Sequence, residues 1–278
     1  MDIVVLLVVL LSALLQAGWN VLLKLRLDPL AALTLVVLGG GAVALPVALW
    51  LGPPTPALLP WMAGSMSAHM AFYACLVGAY ARADLGLVYP VARGGALLMT
   101  AGIAIAVLHE PVRPIGIAGI ALLSASVLVT GWRSRKEASQ TAALMLALGS
   151  GVAVTAYSLI DGTAGRMGSP GIYTAWLFVG DAVLVAVGLS LWKGAAFLRP
   201  LRPHWRLALV GGAMLFVSYW LCVWAMTRAP ISLVAAVREA SVLFGAALAV
   251  LVLRETLRPE RLIAALLVVA GVTLIKLH

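Results

Sequence analysis

Arg133-Ser134-Arg135-Lys136-Glu137-Ala138-Ser139-Gln140 is the one polar stretch of any length in a chain of 278 residues that is 63% hydrophobic and 10% charged. The mean hydropathy is +1.09. A water-soluble domain carries about a quarter charged residues, so the rest of this chain belongs in lipid. On the N-terminal side of the stretch, apolar runs bounded by charge, Gly or Pro predict spans at 3–23, 30–51, 58–81, 85–108 and 114–132. On its C-terminal side they predict spans at 141–161, 171–192, 205–227, 231–253 and 260–277. Each is close to the ~20 residues that cross a bilayer as a helix. The expected fold is therefore an all-α integral membrane protein with ten transmembrane helices. Residues 1–132 form one five-helix unit, 133–140 a polar linker and 141–278 a second unit.

The two units resemble each other. At an offset of 145, Arg93 falls on Arg238, Glu110 on Glu255, Arg113 on Arg258 and Pro114 on Pro259. Upstream the offset becomes 146 and pairs Tyr73 with Tyr219 and Arg82 with Arg228. Matches among Ala, Val and Leu mean little in so biased a composition, but polar and Pro anchors at one spacing mark an internal repeat. An odd number of spans per unit makes the second cross the membrane in the opposite sense, an inverted repeat as in many secondary transporters.

The formal net charge of +9 suggests nucleic acid in a soluble protein, but here Lys and Arg sit between apolar runs and act as topology anchors. Thirteen lie on the side opposite the N-terminus and four on the N-terminal side, the other two of the 19 being Arg93 and Arg238. The positive-inside bias then places both termini outside the cytoplasm. The first apolar run follows Asp2 instead of a basic region, so it reads as a retained helix and not a signal peptide. Cys75 and Cys222 fall within apolar runs as small packing groups. Neither metal-ligand spacing, a phosphate-cradling loop nor a nucleophile elbow is present in the sequence. No cofactor and no enzymatic activity are expected.

The informative residues are the charges inside spans, since an ionisable group at mid-bilayer is by default a functional-site hypothesis. Arg93 lies about 8 residues, or ~12 Å, into its helix, in a core ~30 Å thick. Arg238 is equally deep in the related helix, which enters from the other face. Two such guanidiniums can hold a carboxylate or phosphate in a central cavity. The alternative is that Glu239 and Asp181 neutralise them as a buried network, and even then either carboxylate could carry a coupling proton. Tyr89, four residues before Arg93, shares its face, and Pro90 predicts a kink there. Gln16, Trp19, Asn20 and Lys24 form a polar stripe on the first helix; Thr155, Tyr157, Ser158 and Asp161 occupy the equivalent sixth. Trp19, Asn20 and Tyr157 are candidates for the cavity wall. His69, midway along the third helix, reads either as a proton relay or as a hydrogen-bonded packing residue.

Leu14-Leu15-Gln16-Ala17-Gly18-Trp19-Asn20 with Lys24, Tyr89-Pro90-Val91-Ala92-Arg93-Gly94, Val237-Arg238-Glu239-Ala240-Ser241, and the helix ends Leu108-His109-Glu110-Pro111 and Leu253-Arg254-Glu255-Thr256 together resemble the drug/metabolite transporter superfamily, EamA type. The resemblance implies a multi-pass protein of the plasma (inner) membrane with a central cavity built from the first, third, fourth, sixth, eighth and ninth helices. It also implies a small-molecule substrate such as an amino acid or organic anion, moved by alternating access, with membrane lipid as the surrounding partner. Glu110 and Glu255 carry over as structural helix-end groups. A second reading is a flippase for a lipid-linked phosphate; a third is a non-transporting receptor or scaffold, for which only the 133–140 linker offers surface.

Overall fold

The computed structural model describes residues 1–23, 29–80, 82, 85–130, 141–194, 196–197, 203–251 and 259–278. The expected linker 133–140, Lys24 and Glu255 lie outside these residues, as does the side chain of Tyr89. Among the described residues all regular structure is helical. In chain order the helices are α1 (Ile3–Leu23), α2 (Pro29–Leu51), α3 (Leu59–Tyr80), α4 (Leu85–Ala106) and α5 (Pro114–Thr130). After these come α6 (Thr141–Met167), α7 (Pro170–Lys193), α8 (Trp205–Met226), α9 (Ile231–Arg238), α10 (Ser241–Leu251) and α11 (Pro259–Leu277). Six helices among the described residues are long and apolar enough to cross a membrane. Large apolar side chains such as Leu7, Leu191 and Leu266 stay exposed on the outside of the bundle, where water would penalise them and lipid does not.

The helix ends follow local chemistry. Gly52 and Gly194, with φ of 89° and 79°, end α2 and α7, because glycine takes the left-handed region without a Cβ penalty. Ser169 caps α7 by accepting the Ile172 N–H, with Pro170 in the first turn. Two helices depart from the sequence reading. α6 runs six residues past Asp161, since a charge that finds partners inside the protein need not end a span. The ninth span is interrupted: α9 stops at Arg238 and α10 starts at Ser241. There Glu239 N donates to Ala236 O, Ala240 N to Val237 O and Val242 N to Glu239 O, a 3₁₀-like tightening in mid-span. α4, by contrast, is helical through Pro90.

Apolar surface gains nothing by leaving lipid tails, so helices in membranes hold together by close approach and hydrogen bonds. α2 and α8 touch backbone to backbone: a Cβ on Gly212 would lie 2.2 Å from Gly39 C and Gly40 N, and one on Gly39 would lie 1.9 Å from Ala208 O. α5 and α11 meet in the same way at Gly119 and Gly271. Between α1 and α8, Ser12 Oγ donates to Ser218 O at 2.7 Å and Ser218 Oγ donates back to Ser12 O at 2.8 Å. Gly212→Val is expected to force α2 and α8 apart and destabilise the detergent-solubilised protein by about 1–3 kcal/mol or more. Gly188→Ala, where no neighbour lies within 4 Å, should leave its melting temperature unchanged. Equal stability of the two variants in a thermal melt would contradict this packing.

Outside the spans, Arg113 N donates to His278 Nε2 at 2.9 Å and Arg113 Nη1 to His278 O at 3.3 Å, fixing the C-terminus beside the start of α5. Desolvation, with the nearby N-terminal amine and Arg113, holds the His278 imidazole below its usual pKa, as its acceptor role requires.

Candidate substrate cavity

The fourth and ninth helices bring their arginines to one place. Arg93 of α4 and Arg238 at the end of α9 line a narrow cavity of about 20 Å³, together with Thr100, Tyr157, Ser158 and Glu239. Arg93 Nη2 donates to Glu239 Oε1 at 2.5 Å, and both side chains are largely buried. The other Glu239 oxygen, Oε2, is buried and accepts no hydrogen bond from the described residues. Glu239 thus pairs with the arginine of α4 instead of its chain neighbour Arg238. The interruption of the ninth span makes both side chains available at the cavity.

Arg238 stands differently. Its guanidinium lies 5.1 Å above the centre of the Tyr219 ring, a cation–π contact. No carboxylate among the described residues comes within ion-pairing distance of it. Asp181, the other carboxylate considered as an arginine partner, instead holds His69: Nδ1 and Oδ2 are 2.7 Å apart. The four-charge network of two arginines and two carboxylates therefore does not form in this structure. Its one arginine–carboxylate pair leaves the second guanidinium in the cavity against the Tyr219 ring and the Cys222 thiol, with no carboxylate among the described residues paired to it.

Behind the cavity lies a second polar group. Tyr157, which lines the cavity, meets the His69 ring edge-on at 4.4 Å. Asp161 of α6, completely buried, accepts a 2.6 Å hydrogen bond from Tyr173 OH and a short one from Tyr219 OH. Sequence reasoning passed over Asp161 as a site because it took that residue for the end of its span. It also missed Tyr173 and Tyr219, though the 146-residue pairing of Tyr73 with Tyr219 marked the latter. Trp19 and Asn20 are not among the cavity-lining residues. Asn20 Nδ2 bonds back to Gln16 O of its own helix, and the buried Trp19 Nε1 has no partner among the described residues.

Glu110 follows α4 across a turn in which His109 takes φ of 51°, a left-handed value uncommon for a residue with a Cβ. Glu110 N reaches back to Ala104 O and closes that turn. The carboxylate thereby meets the N-terminus of α9: Oε1 accepts the Ile231 N–H at 2.6 Å, and Oε2 accepts the Ser232 N–H at 3.1 Å and its hydroxyl at 2.8 Å. Arg166, from the last turn of α6, donates to Oε1 at 3.0 Å and also to the carbonyls of Met226 and Ala229. A carboxylate at a helix N-terminus satisfies otherwise orphaned donors and complements the helix dipole.

Residues 141–277 match the EamA-like transporter family, in keeping with an integral membrane protein of the drug/metabolite transporter type. No curated protein matches it significantly in sequence. A solved crystal structure of a protein otherwise undescribed superposes with a TM-score of 0.80 at 18% identity, over 100% of this chain and 98% of that one. The two share a fold.

Proposed function

We propose that this EamA-like transporter carries a small zwitterion, an amino acid or a similar ammonium carboxylate, through the cavity between α4, α6 and α9. The observation that carries the reading is that, among the described residues, Arg238 has no carboxylate partner and Glu239 Oε2 no donor, while both residues line the same cavity. A substrate carboxylate fits the first, with the planar bidentate geometry that arginine favours. A substrate ammonium fits the second. Arg93 keeps Glu239 ionised and in place, and Tyr157, Thr100 and Ser158 supply the wall. A simple organic anion would use Arg238 and leave Oε2 unsatisfied.

The architecture supports alternating access as the mechanism. With α9 and α10 taken as two halves of one span, the chain crosses the membrane ten times as two inverted five-span repeats. The packing is two-fold in that sense: α1 lies on α8 as α6 lies on α3, and α2 meets α7 while α5 meets α11. A discontinuous helix at the substrate site is a recurring feature of such transporters. The cation distribution between the two sides favours non-cytoplasmic termini in the inner membrane.

A thermal-shift screen of the purified protein tests the substrate class, because a ligand present at a hundred times its Kd stabilises what it binds by about 2.7 kcal/mol. Amino acids should raise the melting temperature, and alkylamines and monocarboxylates of the same size should not. A shift confined to phosphorylated compounds would overturn the reading in favour of a phosphate carrier or flippase.

A further inference from the structure

We propose that His69, Asp161 and Asp181 form a proton-binding site behind the cavity wall, linked to the substrate site through Tyr219 so that proton and substrate carboxylate bind together. The proposal rests on the assignment of Arg238 as the carboxylate ligand. Asp161 on α6 and Asp181 on α7 are 0% and 4% exposed, and Asp181 Oδ1 has no partner among the described residues. His69 and Tyr73 of α3, Tyr157 of α6, Tyr173 of α7, Tyr219 and Cys222 of α8 and Arg238 of α9 are the titratable and charged groups that face them among the described residues. Apart from His69 and Arg238 these are phenols and a thiol, none of which brings a positive charge. Two carboxylates and a neutral imidazole would leave a charge of −2 buried among them, and isolated buried charge is expensive. A proton shared by His69 and Asp181 removes one of the two charges.

The second charge, on Asp161, is held by the hydroxyls of Tyr173 and Tyr219. The ring of that same Tyr219 carries Arg238, so the guanidinium is the permanent cation that balances Asp161 from across the ring. A substrate carboxylate arriving at Arg238 takes over that cation. Asp161 then lacks a counter-charge, and proton uptake by the cluster becomes favourable. By linkage the effect is reciprocal: protonating the cluster tightens substrate binding. Binding on the same leg of the cycle makes the transporter a proton–substrate symporter, with one proton entering the cluster per substrate bound.

Two measurements on the full-length protein test the proposal separately. Infrared difference spectra of the ligand-free protein across a pH titration should contain a protonated carboxyl band that diminishes in Asp161→Asn or Asp181→Asn. This readout needs no substrate and stands whether or not the amino-acid reading does. A spectrum unchanged by both substitutions would overturn the proton site. For the linkage, the affinity for a stabilising amino acid should rise at least about fivefold as pH falls, within the usual range of coupling between sites. Tyr219→Phe keeps the ring under Arg238 but removes the hydroxyl on Asp161, and should flatten that dependence. A pH-independent affinity in the wild-type protein, or an unaltered pH slope in Tyr219→Phe, would refute the coupling.

Discussion

Glu110→Ala should destabilise the protein by on the order of 3 kcal/mol or more, the largest loss expected from a single side chain outside the cavity. The substitution strands the Ile231 and Ser232 amides and the Ser232 hydroxyl, and each buried donor left without a partner costs about 1–3 kcal/mol. The ion pair with Arg166 contributes less, because that side chain is 39% exposed and screened. Glu110→Gln keeps the shape and one acceptor but turns an NH₂ group toward donors, so its stability should fall between wild type and Glu110→Ala. With about 2–4 °C of melting temperature per kcal/mol for a chain of this size class, the Ala variant should melt roughly 6–12 °C lower. Transport should fall as well. α9 spans eight residues, about 12 Å at the usual helical rise, and its two ends are the Glu110 anchor and Arg238, so losing the anchor releases the residue that meets substrate. A Glu110→Ala protein as stable as wild type would contradict the capping account.

The second large effect separates the two arginines. Arg238→Ala should reduce binding and transport at least about a hundredfold, the scale of losing a charge-assisted bidentate contact in a desolvated site. The fold should remain intact, since this guanidinium makes no direct ion pair with a carboxylate among the described residues. Arg238→Lys should rescue poorly, because a point charge does not replace the planar fork. Arg93→Ala is expected to act differently: it leaves Glu239 as a buried carboxylate without its partner, and breaking such a pair costs about 3–5 kcal/mol. Arg93→Met with Glu239→Met should recover most of that stability while remaining unable to transport. Comparable thermal losses in Arg238→Ala and Arg93→Ala would show that the asymmetry between them is wrong.

Much of the fold was legible in the sequence because lipid imposes a length on each apolar run. The observed helix ends fall within a few residues of the runs read from composition, except where burial overrode the rule. Asp161 looked like a span end because charge usually sits there; its partners Tyr173 and Tyr219 come from α7 and α8, and sequence spacing carries no trace of them. The interruption at Glu239–Ala240 was equally hidden, since the segment Val237-Arg238-Glu239-Ala240-Ser241 holds neither Pro nor Gly. Pro90, which did signal a bend, lies in a helix that continues.

Within the site, Arg93 and Arg238 stood out in the sequence as charges inside apolar runs, and both line the same cavity. Which charge pairs with which could not be read. Glu239 bonds an arginine 146 positions away instead of its neighbour, and Asp181 bonds a histidine 112 positions away. Trp19 and Asn20 share a helical stripe with Gln16, but a stripe fixes a face and not what that face meets. Glu110 could be singled out as a helix-end group, whereas its service to the N-terminus of another helix is a tertiary fact.

The most direct test of the zwitterion cavity is calorimetric binding of a matched set: one amino acid, its amide, which lacks the carboxylate charge, and the corresponding acid without the amino group. The parent amino acid should bind wild-type protein at least tenfold more tightly than either analogue, a difference of about 1.4 kcal/mol. Glu239→Gln should erase its advantage over the acid, and Arg238→Ala its advantage over the amide. Equal affinity for all three compounds, or an advantage that survives both substitutions, would contradict the assignment of these residues as the substrate's two charge partners.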